Sequence, residues 1–369
     1  MTASRFIAGP MLLAACGGSV ESGPLLQRIG ATFEDCNAAE VRFLAAKHDL
    51  RLAFEPCHRN EVQAFAWSPD GRRLEFGLPG SNHVLQAERE TKNIVAVPAA
   101  PALQGAVWVT PGRVVLGRDG VELVIYDPPP IEQPDAAGAV RTLPVPAMHT
   151  VRTLLPTGRP DAVIVVGTDD HDAAGAWEIS LSDGQATPTF ADLPASADLT
   201  WSPTTRDRVV ARDGRVELVD AQGRVRSSYE DADRGALSPD GAWLLLERKT
   251  AAPSPFLQRT WEERRAAGAA RAEARAKAYA ANAPDWADGG PPAPELSVVD
   301  LKSGQRWRIT AFAGDHAAWY EAAPGWITFA LWGIEGKQLR RNVALVDLLR
   351  VVRAAGAEGV EPWTPDPPR

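Results

Sequence analysis

Three features of the sequence predict an all-β fold. A proline-marked motif recurs about every 43 residues, each period holds three to four short strand-like runs, and turn chemistry built on 31 glycines and 31 prolines is spread along the chain. Together they describe a single β-propeller of six to seven four-stranded blades with one inserted α-helix, because radial repetition of small sheets is how such a period buries a continuous core. The 369 residues, 45% hydrophobic and 23% charged, exclude disordered, collagenous and coiled-coil chains. The formal charge of −8 excludes the basic face that a nucleic-acid binder needs.

At the N-terminus a single charge, Arg5, precedes an apolar run from Phe6 to Ala15, the order of a secretory signal and too short to span a bilayer. The run ends in Leu13-Ala14-Ala15-Cys16, followed by Gly17-Gly18-Ser19. This tetrad resembles the lipobox of bacterial lipoproteins, in which small residues fit the signal-peptidase pocket and the cysteine takes a diacylglycerol. The resemblance implies that residues 1–15 are a signal peptide, that Cys16 is the lipid attachment site and first mature residue, and that 16–24 form a lipidated, flexible tether. Two or three acyl chains would hold such a protein stably on a membrane. Export also bears on the other two cysteines. Cys36 and Cys57 would then form one disulfide, the alternative being two free thiols.

From 25 to 356 the repeat dominates. Trp67-Ser68-Pro69-Asp70-Gly71 and Leu237-Ser238-Pro239-Asp240-Gly241 are two copies of one motif, Trp201-Ser202-Pro203 is a truncated third, and weaker copies surround Pro111, Pro156 and Pro324. Proline presets φ and glycine supplies a positive φ, so each copy reads as a tight turn between strands, such as the one leading into Arg73-Leu74-Glu75-Phe76. Further strands end in second turns, the clearest being Val216–Asp220 before Gly223 and Leu296–Asp300 before Gly304. These copies resemble the repeats of TolB-type β-propellers, which are also WD-like in their period. The resemblance implies that Trp67, Trp201 and Leu237 pack between blades. The segment from Pro24 to Asn60 is either a divergent seventh blade or a closing segment for six; its length favours seven.

Between 251 and 292 the strand pattern stops. Ser254 is a suitable N-cap, Pro255 a suitable first helical residue, and the Ala-, Arg- and Glu-rich run from Phe256 to Ala281 predicts a helix of about 25 residues. It is either a solvated arm or a docking element, and its removal should leave the fold intact. Residues 357–369 are expected to form an irregular C-terminal tail.

The sequence contains no Gly-x-Ser-x-Gly elbow, phosphate loop, dinucleotide fingerprint, His-Glu-x-x-His or Cys-x-x-Cys. No catalytic, cofactor or metal residue is therefore assigned. Asp169-Asp170-His171-Asp172 reads as a polar hairpin tip rather than a calcium or transition-metal site. Among the six histidines only His316, just ahead of the Trp319 strand, could face a channel. The expected function is that of a monomeric, lipid-anchored envelope module, on the outer membrane by preference and facing the periplasm or the surface, that binds other envelope proteins. The alternatives are a propeller hydrolase or lactonase with a channel-mouth metal, and a carbohydrate or peptidoglycan binder using tryptophans such as Trp332 or Trp363.

Overall fold

The computed structural model describes residues 20–22, 27–29, 51–54, 64–77, 84–88, 94–97, 105–118, 122–133, 138–190, 193, 198–249, 254–259, 262, 294–335, 338–354 and 359–363. These form six antiparallel sheets arranged as the blades of one ring.

Blade 1 holds β4 (Ala64–Trp67), β5 (Arg73–Gly77), β6 (Val84–Glu88) and β7 (Ile94–Val97), with the short β2 (Gln27–Ile29) and β1 (Val20–Ser22) added outside β7. Blade 2 is β8 (Ala106–Thr110), β9 (Arg113–Arg118), β10 (Glu122–Asp127) and β11 (Ala139–Pro144). Blade 3 is β12 (Met148–Pro156), β13 (Ala162–Asp169), β14 (Ala174–Ser180) and β15 (Ala186–Phe190). Blade 4 is β16 (Asp198–Trp201), β17 (Arg208–Arg212), β18 (Arg215–Val219) and β19 (Val225–Tyr229). Blade 5 is β20 (Arg234–Leu237), β21 (Trp243–Arg248), β22 (Glu295–Asp300) and β23 (Arg306–Ile309), with β27 (Val360–Pro362) as a fifth strand. Blade 6 is β24 (Gly314–Trp319), β25 (Trp326–Glu335), β26 (Gln338–Asp347) and, from the other end of the chain, β3 (Arg51–Phe54).

That last pairing, Val343 with Phe54 and Leu345 with Arg51, decides the blade number. Blade 6 would present a bare edge on β26 without it, and an unpaired edge is costly to leave open. The described part of the segment expected as a seventh blade is spent on closing the sixth and widening the first, so the ring has six blades.

Strands alternate their side chains between two faces, and each face meets a neighbouring blade. Among the described residues the buried apolar side chains fall into six clusters, one per seam. In β13, Val163 and Val165 pack against Val115 and Ile125 of blade 2, while Ile164 and Val166 pack against Val210 of blade 4. The motif residues behave as the repeat implies. Trp67 meets Tyr320 of blade 6 edge-on, with ring centroids 5.4 Å apart, and its Nε1 donates to Thr328 Oγ1 at 2.9 Å. Trp201 packs on Phe190 of blade 3 at 5.2 Å, and Leu237 is buried among Val209, Val216 and Leu218 of blade 4.

The two full turns are chemically identical. Ser68 Oγ donates to Asp70 Oδ1 at 2.6 Å and accepts Arg73 N–H at 2.9 Å; Ser238 does the same with Asp240 and Trp243 at the same distances. Gly71 and Gly241 sit at φ +68° and +71°, the left-handed region that each turn requires.

Three expectations are corrected outside the repeat. Within the insertion the described helical residues begin at Pro255, after Ser254, as the N-cap reading requires, but this first turn is no solvated arm: Phe256 and Leu257 are fully buried in the seam between blades 5 and 6. Part of the expected irregular tail is strand β27, paired with β23 through Trp307 and Pro362. Val20–Ser22, expected as tether, is strand β1. A helix α1 (Leu348–Arg353) follows β26, capped by Asp347, whose carboxylate accepts Arg350 N–H at 3.1 Å. Its Leu348, Leu349 and Val352 complete the same seam. Residues 1–15, the lipobox with Cys16, and the Cys36 and Cys57 pair lie outside the described residues.

Candidate functional site

The inner strands of the six blades, β4, β8, β12, β16, β20 and β24, surround a central cavity of ≈ 390 Å³. Its waist is lined by small side chains, among them Ala66, Ala106, Thr153, Thr200 and Ala318. Small residues are forced at some places: a Cβ on Gly235 would lie 2.8 Å from Val209 Cγ1 and 2.9 Å from Val216 Cγ1 of blade 4.

Antiparallel order gives the ring two unlike ends. At one end lie the turns joining first to second and third to fourth strands, including the Ser-Pro-Asp-Gly turns and the turns at Gly184, Gly223 and Gly304. At the other end the inner strands begin, and there three of the connections between second and third strands are elaborated. The 251–292 insertion joins β21 to β22 at this end, the ten-residue strands β25 and β26 meet there, and so do the long β13 and β14 around Asp169–Ala173.

The same end carries the cavity's charged mouth. Asp198, Arg234 and His316 come from blades 4, 5 and 6, and each stands three residues ahead of the packing residue of its repeat, Trp201, Leu237 and Trp319. Blade 1 has Ala64 in that place. Arg234 is the centre of the group. Its Nη1 donates to His316 Nδ1 at 2.9 Å and lies 3.9 Å from Glu247 Oε2, while its Nε lies 3.5 Å from Asp198 Oδ2. Glu247 is opposite Arg234 in the β20–β21 ladder and also accepts Ala317 N–H at 3.4 Å. Because a guanidinium can only donate, His316 Nδ1 carries the lone pair and, in the neutral ring, Nε2 carries the proton. His316 has φ +53° and sits in a register shift between Asp315 and Ala318, a backbone state that a non-glycine residue adopts only when its surroundings hold it there. Burial pushes the Glu247 carboxyl up to about 7, Arg234 pulls it down and the nearby Asp315 pushes it further up.

This arrangement can offer a held guanidinium, an imidazole N–H and carboxylates to a polar group entering from the mouth. The metal-dependent alternative would need ligand atoms aimed at one common point, and that point is held by the Arg234 guanidinium. Ser68, at the far end of the cavity, already donates its hydroxyl to Asp70.

His316 is thus where the sequence reading places it, facing the channel. Asp198, Arg234, Glu247 and Asp315 were missed, although the first two share the repeat position of His316 and could have been found by aligning the copies one residue at a time. The Asp169–Asp172 tip is the polar turn expected. Asp169 Oδ1 accepts His171 and Ala173 N–H, both at 2.9 Å, and these bonds hold its carboxyl below the ordinary value. Ligand atoms of Asp169, Asp170 and His171 do come within 4.8 Å of one another, on an exposed tip. Trp363 is half-buried, with the Arg306 guanidinium 3.6 Å from its ring centroid, so it is not the open stacking platform that a sugar needs; the Trp332 side chain lies outside the described residues.

No protein-family model matches the chain, and no curated protein matches it. Among solved structures it is similar to Kuenenia stuttgartiensis hydrazine synthase, at 13% identity over 72% of this chain and 72% of that one, with a TM-score of 0.43. It is also similar to a chain of the mitotic checkpoint complex, at 11% identity over 77% of this chain and 80% of that one, with a TM-score of 0.44. A third is the Myceliophteria thermophila Cps50 (Swd1) β-propeller domain, at 10% identity over 77% of this chain and 97% of that one, with a TM-score of 0.40. Likenesses of this size carry no argument about activity, and the assignment of a six-bladed β-propeller rests on the six sheets themselves.

Proposed function

We propose that the protein is a lipid-anchored β-propeller of the bacterial cell envelope that acts as a protein-interaction module, and that it engages partners at the end of the ring where the inner strands begin. The observation that carries this reading is the asymmetry of the ring. One end carries the Ser-Pro-Asp-Gly turns and the tight turns at Gly184, Gly223 and Gly304; the other collects the insertion, the ten-residue β25–β26 hairpin and the charged mouth. Specificity in such folds is added on loops held by a rigid scaffold. Attachment through Cys16 would confine the ring to a membrane surface and raise its effective concentration for partners there.

Two measurements test the reading. Photo-crosslinking residues placed at 171 or 213, at the elaborated end, should form adducts in intact cells, while the same group at 222 or 302, at the tight-turn end, should not; the reverse pattern would refute it. Cys16→Ser should release the protein from the membrane fraction and abolish the mass of the acyl chains.

A further inference from the structure

One seam differs from the other five. Elsewhere the central strands of neighbouring blades meet with mostly apolar side chains, a buried carboxylate entering singly, as Glu217 does on β18 and Glu247 on β21. Across the seam between blades 1 and 2, blade 2 presents Val114, Leu116, Val124 and Tyr126, but β5 and β6 answer with Arg73, Glu75, Gln86 and Glu88. All four are buried, at 5%, 0%, 1% and 6% exposure. They are directly opposed in the ladder, Arg73 to Glu88 and Glu75 to Gln86, while Leu74 and Phe76 of the same strand face blade 6 in the ordinary apolar way.

The polar side chains are unequally satisfied. Arg73 lies 3.7 Å from Glu88 Oε1 and donates to the Pro129 carbonyl of blade 2. Gln86 Nε2 donates to Glu75 Oε1. Glu75 Oε2 has no hydrogen-bond partner, and neither has the Tyr126 hydroxyl or Trp108 Nε1, both also buried in this seam. Arg73 and Glu88 cancel in charge. Glu75 is a third ionisable group whose facing cation is already engaged, and an ionised carboxylate there would bury a charge with one oxygen bare. A group in that position keeps its proton instead. The groups that face it from its own and neighbouring strands are Arg73, Gln86, Glu88 and, from β10, Tyr126.

We propose that the seam between blades 1 and 2 is a proton-linked junction, in which Glu75 is carried as a neutral carboxylic acid and its ionisation at alkaline pH loosens the contact of blade 1 with blade 2. Consistent with the geometry, burial raises the Glu75 carboxyl to about 8, with the Gln86 hydrogen bond and Arg73 pulling it only part of the way back. Burial and Glu75 together hold the Tyr126 phenol well above its usual range. The sign follows from proton counting. Between 4.5 and about 8 the folded chain binds a proton at Glu75 that the unfolded chain has released, so stability falls as pH rises through that window and is level above it.

Urea unfolding from pH 5 to pH 9, on the wild type and on Glu75→Gln, tests this. Glutamine has the same shape and no charge. The ratio of the wild-type to the variant unfolding constant should climb by up to roughly tenfold per pH unit across the window and then flatten. A ratio that stays constant from pH 5 to pH 9 would overturn the proposal. If the variant does not fold, the infrared carbonyl stretch of a protonated carboxyl decides, measured in Glu247→Gln so that the other strongly shifted carboxyl is absent. A band present at pH 7 and lost on raising the pH past 9 supports the proposal, and no band at pH 7 refutes it.

Discussion

Arg234 of blade 5 donates its guanidinium to Nδ1 of His316 of blade 6 at 2.9 Å, so the seam between the two blades is joined at the channel mouth by a hydrogen bond between residues 82 apart in sequence. The bond fixes the imidazole tautomer, and it brings a cation to Glu247, the carboxyl with the highest burial cost in the cavity lining.

Arg234→Ala should therefore raise the Glu247 carboxyl further above about 7, which a pH titration of its carbonyl stretch would follow. The stability change should be modest, on the order of 1 kcal/mol or less, because Arg234 is partly exposed. Glu247→Gln should remove the pH dependence that this carboxyl contributes. With the folded value raised from 4.5 to about 7, its contribution is fully present at low pH and is lost as pH rises between those two values.

The turn of blade 1 is locked against blade 6. Gly71 has φ +68°, and an added Cβ would lie 1.8 Å from the Tyr320 hydroxyl, which donates to the Gly71 carbonyl at 3.2 Å. Gly71→Ala should destabilise by about 2–4 kcal/mol, from left-handed strain together with overpacking. Gly112→Ala is the control: nothing lies within 4 Å of a Cβ there and φ is not in the left-handed region, so its unfolding midpoint should match or exceed the wild type.

The first turn of the insertion belongs to the core. Phe256→Ala should cost about 3–5 kcal/mol and Leu257→Ala about 2–5 kcal/mol in urea unfolding, since both side chains are buried among blades 5 and 6. Removing all of 251–292 should destabilise comparably, whereas a deletion that retains residues 254–262 should leave the midpoint near the wild-type value.

The C-terminal strand covers the edge of blade 5. Truncation before Gly359 would expose the β23 edge, break the Arg308 pairing with Glu361 in the ladder and remove Trp363 from the Arg306 guanidinium. Trp363→Ala alone should cost about 1 kcal/mol through the lost cation–π contact, read as a shift in thermal midpoint, and the truncated chain should show a larger loss with concentration-dependent association through the bared edge.

Much of the architecture was legible because its signals are local. The Ser-Pro-Asp-Gly copies, the glycine second turns and short apolar runs such as Val163–Val166 each depend on residues within one hairpin, so period and strand order could be read directly, while the inter-blade place of Trp67, Trp201 and Leu237 followed from the resemblance of these copies to propeller repeats. The Ser254-Pro255 helix start is local in the same sense. The charged mouth was harder. His316 stood out as a histidine at a strand start, but Asp198 and Arg234 look like ordinary loop-edge charges until the ring brings three repeat positions to one rim.

By itself the sequence determined the repeating unit, because turn chemistry and strand alternation are properties of neighbouring residues. The tertiary structure alone decided the rest. Six blades rather than seven follows from pairing Phe54 with Val343, a contact between the two ends of the ring that no local pattern encodes. Closing the ring also chose which side of each strand meets which neighbour, and so placed Glu75 with Arg73, Gln86 and Glu88 against the apolar face of blade 2 and gathered Asp198, Arg234 and His316 at one mouth. The physical reason is the same in each case: burial and charge proximity are set by packing between blades, and residues far apart in the chain acquire them only when the circle is complete.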